Sequence, residues 1–303
     1  MTNPPSSPPR LLVFGLGYAG AAIAAAATAA GLAVSATSRD PTGLAAPAGV
    51  SLLPFAAASP ALTEATHVVS TAPPDEAGDP VLRAYGAALA ASPGLRWVGY
   101  LSTTGVYGDR AGAWVDETTP PAPGQPRTRQ RLAAERAWAV LAGRCAVEIF
   151  RVGGIYGPGR SAFDVLRAGR ARRIVRPGQY FGRIHRDDIA RAVLAALRQE
   201  RPVGLRVLNL VDDEPAENAA VIEEAARLLG VAPPAAVPFE IAAPRMSEMA
   251  LSFWAENRRV SSARTQAELG LKWQYPTYRE GLRAILAEER ADGAREQGEI
   301  VRP

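Results

Sequence analysis

Residues 11–39 read LLVFGLGYAGAAIAAAATAAGLAVSATSR. The apolar run at 11–14 has the length of a buried strand. Gly15, Gly17 and Gly20 follow at once, in the spacing Gly-x-Gly-x-x-Gly. An alanine-rich run from 18 to 30 then reads as a helix, Gly31 stops it, and a second apolar run occupies 33–37. In this context each glycine has a physical role. Gly15 permits a tight turn, Gly17 lets the backbone approach a pyrophosphate, and Gly20 lets the helix close on the strand. The helix start adds unpaired N–H groups and the positive end of the peptide dipole. The stretch therefore predicts a dinucleotide-binding β-α-β unit. It also contains no charged residue from 11 to 38, which raises a signal peptide or membrane anchor. The break in period at Gly15 and the weak hydrophobicity of alanine argue against both.

The end of the second strand selects the cofactor. It reads Ala36-Thr37-Ser38-Arg39-Asp40-Pro41. A carboxylate at this place would hold the ribose hydroxyls of NAD. Arg39 instead offers a fork-shaped guanidinium suited to the 2′-phosphate of NADP, with Thr37 and Ser38 as hydroxyl donors. NADP is favoured. Asp40 leaves NAD open, although its place before Pro41 suits a turn cap.

Outward from this unit, strand-like runs recur at 51–53, 67–70, 97–101, 146–151 and 207–210. Helical stretches intervene. Asp79-Pro80 opens one, with Asp as the N-cap and Pro in the first turn, and 127–141 and 187–198 form others. This alternation predicts an α/β fold, a doubly wound Rossmann parallel sheet covered on both faces. Residues 10–160 plus 187–211 are assigned to that domain. Residues 161–186 plus 212–303, broken by the proline-rich segment 232–238, form a smaller C-terminal substrate lobe. Residues 1–9, with four prolines and two serines, read as a disordered tail.

Composition narrows the chemistry. The 303 residues are 48% hydrophobic and 21% charged, as in ordinary globular proteins. A single cysteine, Cys145, excludes an internal disulfide and a cysteine zinc cluster, and two histidines make a histidine metal site improbable. No metal is expected. The net charge of +4 does not demand nucleic acid, and no nucleic-acid reader motif is present. A cytoplasmic protein without membrane association is expected. Lys272 is the only lysine among 34 basic residues, a bias that reads as genomic.

Further motifs carry a family resemblance. Ser102-Thr103-Thr104-Gly105-Val106-Tyr107-Gly108 is similar to a Ser/Thr-rich stretch ending in Val-Tyr-Gly. Arg151-x-x-x-Ile155-Tyr156-Gly157-Pro158-Gly159 resembles the segment after a sixth strand. Ile184-His185-Arg186-Asp187-Asp188 resembles an Ile-His-Val-x-Asp motif. Asn257 to Val260, Leu269-Gly270, Tyr275-Pro276 and Glu280-Gly281-Leu282 resemble the end of a substrate lobe. With the glycine fingerprint, these identify the chain as a member of the extended short-chain dehydrogenase/reductase family, which includes nucleotide-sugar epimerases and dehydratases. Arg39 in its setting resembles that family's NADPH-using reductases. The resemblance implies cofactor contacts from Gly15, Gly17, Tyr18, Gly20, Ser38 and Arg39. It places Thr71 and Ala72, in Ser70-Thr71-Ala72-Pro73-Pro74, beside the adenosine. It implies hydride transfer with a carbonyl or alcohol substrate whose oxygen is bonded by Thr103. A homodimer through a helix pair is common in the family.

The chain departs from the family at the residues that move protons. The family's acid/base pair is Tyr-x-x-x-Lys, in which lysine lowers the tyrosine pKa and holds the nicotinamide ribose. Here Arg127 stands at the tyrosine and Arg131 at the lysine. Arg131 retains the ability to bind ribose hydroxyls. Arg127 stays protonated at every useful pH, so it can stabilise an oxyanion but cannot shuttle a proton. Gly154 replaces an Asn and Phe181 a diphosphate-binding Arg, which weakens a nucleotide-sugar substrate. Replacement acids are a water, a substrate group, Tyr107 or Glu117. Tyr156 and His185 rank behind them, and His67 reads as structural. Nine arginines and three acids between 160 and 191 suit an anionic small-molecule substrate, or simply a solvated face. Two readings follow: an NADP-linked oxidoreductase with an atypical active site, and a non-catalytic NADP-binding sensor or protein-interaction module. A sugar epimerase with ordinary chemistry is disfavoured by Arg127.

Overall fold

The structure is a computed structural model that describes residues 9–300. Seven parallel strands form the central sheet: β1 (Arg10–Phe14), β2 (Ala33–Ser38), β3 (Val50–Pro54), β4 (His67–Ser70), β5 (Trp97–Thr103), β6 (Ala146–Val152) and β7 (Gly204–Leu210). Their spatial order is β7-β6-β5-β4-β1-β2-β3. The chain therefore winds one way from β1 to β3 and the other way from β4 to β7. The crevice between β1 and β4, at the carboxyl ends of the strands, is where such sheets bind ligands. The register brings Phe14 level with Thr37 on one side and Ser70 on the other. The glycine turn, Thr37 and Thr71 thus meet at one edge.

The helices that flank the sheet follow from the pattern of small and large residues. Helix α1 (Tyr18–Ala29) buries Ile23, Ala24 and Ala27. Its small side chains pack with Ile189, Ala192 and Val193 on one face of the sheet. On the other face lie α2 (Pro80–Ala91) and α3 (Pro126–Ala139), with Val81, Tyr85, Leu89 and Trp138 in the core. Asp79 caps α2 by accepting from Val81 N at 2.9 Å and Leu82 N at 3.0 Å. Its second carboxylate oxygen accepts from the Trp138 indole at 3.1 Å, which joins α2 to α3. Helix α4 (Arg186–Leu197) returns against α1.

Beyond the sheet, α5 (Asn218–Leu229) packs on α7 (Tyr278–Ile300) through Val221, Ala225, Leu282 and Ile285, with α6 (Glu248–Trp254) between them in the chain. Three separate parallel strand pairs lie outside the main sheet: Gly154–Tyr156 with Arg183–His185, Arg173–Val175 with Ala236–Pro238, and Trp114–Val115 with Arg259–Val260. None of these pairs was expected, because strands of two or three residues carry no periodicity. The structure also extends β5 to Thr103 and starts β7 at Gly204, three residues earlier than the apolar run suggests. Residues 1–8 of the expected tail lie outside the described residues. The uncharged stretch 11–38 is strand, helix and strand, and among the described residues no helix is long and apolar enough to cross a membrane.

Candidate functional site

The glycine turn is built for a backbone to approach something closely. Gly15 adopts φ +98°, which an L side chain rarely tolerates. A Cβ on Gly20 would lie 2.0 Å from the Gly15 carbonyl oxygen, so only glycine lets α1 sit so near β1. A Cβ on Gly17 would meet no protein atom within 4 Å. Gly17 is therefore open on the side where a ligand would approach. The N-terminus of α1 has no side-chain cap and no acidic residue in its first turn. Its N–H groups and dipole are available to a phosphate. The residues present fit the pyrophosphate of a dinucleotide.

Neighbouring threonines hold this turn in place. The Thr71 hydroxyl donates to the Gly15 carbonyl at 2.8 Å, and Thr71 N donates to Phe14 O at 2.9 Å. Thr37 Oγ1 accepts from Gly15 N at 3.3 Å, and its carbonyl accepts from Leu16 N at 2.8 Å. Thr71 is thus a clamp on the turn, with Ala72 beside it at the start of the Pro73-Pro74 segment. At the end of β2, Arg39 is exposed and forms no ion pair among the described residues. Ser38 donates its hydroxyl to Asp40 O at 2.8 Å. Asp40 accepts from Thr42 N at 2.9 Å, and that bond lowers its pKa. Asp40 is a turn cap, and Arg39 stays exposed at the end of β2.

A cavity of about 760 Å³ opens beyond the carboxyl ends of β5 and β6. Pro73, Pro74, Thr103, Arg127, Arg131 and Gly154 are among its lining residues. Thr103 ends β5 and caps the following turn. Its Oγ1 accepts from Gly105 N at 3.1 Å, which leaves its own proton for another acceptor. Arg127 and Arg131 sit four residues apart on α3 and share a face. Their environments differ. Arg131 donates to Leu101 O at 2.8 Å and to the Tyr100 hydroxyl at 3.2 Å, and its guanidinium lies over the Tyr100 ring. Arg127 is exposed, and its only described partner is the Phe253 ring, with the centroid 6.0 Å away.

The replacement acids weighed from the sequence do not join this cavity. Tyr107 is fully buried, donates to Asn209 Oδ1 at 2.8 Å and lies under Arg151. Burial pushes its pKa up. Glu117 accepts from Asn209 N at 3.1 Å and from the Thr265 hydroxyl at 2.6 Å. Asp116 caps its own turn through Thr118 and Thr119. Tyr156 packs against His185, and desolvation drives its pKa far up. His185 is 1% exposed, accepts from Asp187 N at 3.3 Å through Nδ1, and lies between Tyr156 and Tyr275. All five residues are engaged within the fold.

The sequence did not single out α6. Met249, Phe253 and Trp254 line the cavity from this helix, and Trp254 meets Phe181 edge to face at 5.0 Å. A seven-residue helix is too short to display an amphipathic pattern. Arg183, also unassigned, lines the inner wall and donates to Phe181 O at 2.8 Å and Ala216 O at 3.0 Å. Glu256 accepts from Gly124 N at 3.2 Å and from Arg258 at 2.9 Å. In all, four arginines (Arg127, Arg131, Arg183, Arg258) and two glutamates (Glu248, Glu256) line the cavity. Among the described residues no group of His, Cys, Asp and Glu is arranged to hold a metal.

Comparison with known proteins agrees with this architecture. No protein-family model matches the chain. A Streptomyces sp. protein, a 3-diazoavenalumate denitrifying reductase, is 31% identical over 180 residues, covering 55% of this chain and 58% of that protein. The match thus spans less than two thirds of that relative. A functionally unknown conserved protein from Silicibacter pomeroyi is 43% identical over 93% of this chain and 99% of its own, with a TM-score of 0.85. A putative NAD-dependent epimerase/dehydratase from Methylobacillus flagellatus is 27% identical over 94% of this chain and 100% of its own, with a TM-score of 0.69. Human epimerase family protein SDR39U1 (isoform 2), solved with NADPH, shares the fold at 21% identity and a TM-score of 0.71, over 91% of this chain and 98% of its own. A glycine cradle at the switch point of a seven-stranded parallel sheet, with Thr103 and α3 beside it, completes the same picture: the chain has the Rossmann-like fold of, and is similar to, NAD-dependent epimerase/dehydratase-type proteins, in keeping with the extended short-chain dehydrogenase/reductase resemblance.

Proposed function

We propose that the protein is an NADP-preferring oxidoreductase that transfers a hydride to or from a small, anionic carbonyl or alcohol substrate. One observation carries the reading. The segment that clamps the glycine turn, through Pro73 and Pro74, lines the same cavity as Thr103 and Arg127. The cofactor crevice and the substrate cavity therefore adjoin. The bound nicotinamide supplies the hydride chemistry. Thr103 donates its free proton to the substrate oxygen and orients it. Arg127 stabilises negative charge developing on that oxygen without exchanging a proton. Arg131, fixed to Leu101 O, positions α3 and offers its remaining N–H groups to the ribose. The proton itself comes from water or from the substrate. The excess of arginine over glutamate in the cavity suits an anion. The relative's description as a reductase supports the reductive direction.

The test is transfer of deuterium from 4-deuterated NADPH to trial carbonyl substrates. The reading expects label in the product, with a rate that falls by about 10²-fold in Thr103→Ala. Label transfer unaffected by that change sinks the assignment of Thr103.

A second reading, a non-catalytic NADP-binding sensor or interaction module, is favoured by a specific fact. Tyr107, Tyr156, His185 and Glu117 are all engaged away from the cavity. Tight NADPH binding with no turnover, together with a cofactor-dependent change in binding to another protein, supports that reading instead.

A further inference from the structure

The nine arginines between 160 and 191 are not a uniform solvated face. Arg167 pairs with Glu289 at 2.6 Å, Arg173 with Glu223 at 3.2 Å and Arg191 with Asp188 at 2.7 Å. Arg176 and Arg183 donate to backbone carbonyls. Two others converge on one aromatic ring. The guanidinium carbon of Arg160 lies 5.5 Å, and that of Arg186 5.1 Å, from the centroid of Tyr18.

Tyr18 is the residue that follows Gly17 and opens α1, so this cluster adjoins the helix start of the glycine turn. The parts are held rigidly. The Tyr18 hydroxyl donates to Pro158 O at 2.9 Å. Gly157 N donates to Arg160 O at 3.2 Å and Arg160 N to Gly157 O at 3.0 Å, which closes the 157–160 turn. A Cβ on Gly157 would come within 2.6 Å of the Tyr18 hydroxyl, so glycine permits the approach. Arg160 has no ion pair among the described residues and is exposed. Arg186 pairs with the half-exposed Asp187 at 3.3 Å. It also stands where the family motif quoted above carries valine. No acidic residue occurs from 11 to 38, so Asp187 is the one carboxylate paired with either guanidinium among the described residues.

We propose that Arg160 and Arg186, seated on Tyr18, form a clamp for the two negative charges of the cofactor's pyrophosphate. The proposal rests on the dinucleotide reading of the cradle and adds to it a charge-assisted contact from outside the glycine turn. It separates two duties. Arg39 reads the 2′-phosphate, while Arg160 and Arg186 hold the diphosphate that NAD and NADP share.

The experiment is calorimetric titration of the wild type, the double variant Arg160→Met/Arg186→Met, and Arg39→Met with NADP⁺, NAD⁺, ADP and 2′-AMP. The proposal expects the double variant to weaken NADP⁺, NAD⁺ and ADP alike, by about tenfold for each lost arginine. Binding of 2′-AMP stays unchanged, which also shows that the variant is folded. Arg39→Met gives the opposite pattern, weakening NADP⁺ and 2′-AMP and leaving NAD⁺ and ADP as they were. Unchanged ADP and NAD⁺ affinity in the double variant overturns the clamp while leaving the dinucleotide reading intact. A wild type that binds none of the four probes overturns both.

Discussion

The glycine cradle and helix α3 border the same crevice, yet they relate to the family in opposite ways. In the cradle every unusual feature serves close approach: φ +98° at Gly15, a 2.0 Å conflict awaiting any Cβ on Gly20, and open space at Gly17. On α3, Arg127 and Arg131 stand where the resemblance implies a tyrosine and a lysine. Arg131 is tied to the sheet through Leu101 O, whereas Arg127 projects with an aromatic ring as its only described neighbour. The difference separates binding from proton transfer. A fold can retain the first with its geometry intact while a permanently charged group replaces the second.

The largest effect expected of this contrast is in the cradle. Gly20→Val drives a side chain into the Gly15 carbonyl and lowers unfolding stability by about 3 kcal/mol or more, read by chemical denaturation. Gly17→Ala leaves the denaturation midpoint unchanged but weakens dinucleotide binding at least tenfold, because its methyl fills only the ligand's side. Equal stability losses in the two variants would erase the distinction between packing glycine and binding glycine.

The opposite, amino-terminal end of the sheet carries a pH-dependent component of stability. Burial pushes the His67 pKa down from 6.5 to about 4, with Arg96 adding to the shift. The unfolded chain therefore takes up a proton as pH falls below about 6.5, and the folded chain resists until about 4. Stability declines across that window by about 3 kcal/mol and is restored as pH rises. In His67→Gln most of this decline is absent, about 2 kcal/mol of it between pH 7 and pH 4.5, as denaturation at those two values will show.

On α3 the effects are smaller and divide between the two arginines. Arg127→Ala slows hydride transfer by about 10²-fold and leaves stability unchanged, since the side chain is exposed. Arg131→Ala lowers stability by about 1–2 kcal/mol, because the Leu101 carbonyl loses its donor. A stability loss in Arg127→Ala, or none in Arg131→Ala, would contradict the roles assigned to them.

What could be read from the sequence was mostly local. The glycine spacing, the apolar runs of the seven strands and the Asp79-Pro80 cap each lie within a few residues, and the structure places them as read. Thr103 was legible through its motif and does line the cavity. The rest depends on partners far along the chain. Nothing near Tyr107 shows that its hydroxyl is bonded to Asn209, 102 residues away. Glu117 likewise meets Thr265 only when the chain has folded. The bond from the Thr71 hydroxyl to Gly15 O also spans 56 residues and has no local signature. The wall formed by Met249, Phe253 and Trp254 comes from a helix too short to announce itself.

The central claim is that the cradle is a working dinucleotide site whose specificity is set by Arg39. Fluorescence titration of the purified protein with NADPH and NADH tests it directly. The account expects saturable binding of both, with NADPH tighter by at least tenfold and that advantage lost in Arg39→Ser. Equal affinities in the wild type, or no binding of either nucleotide, would contradict it.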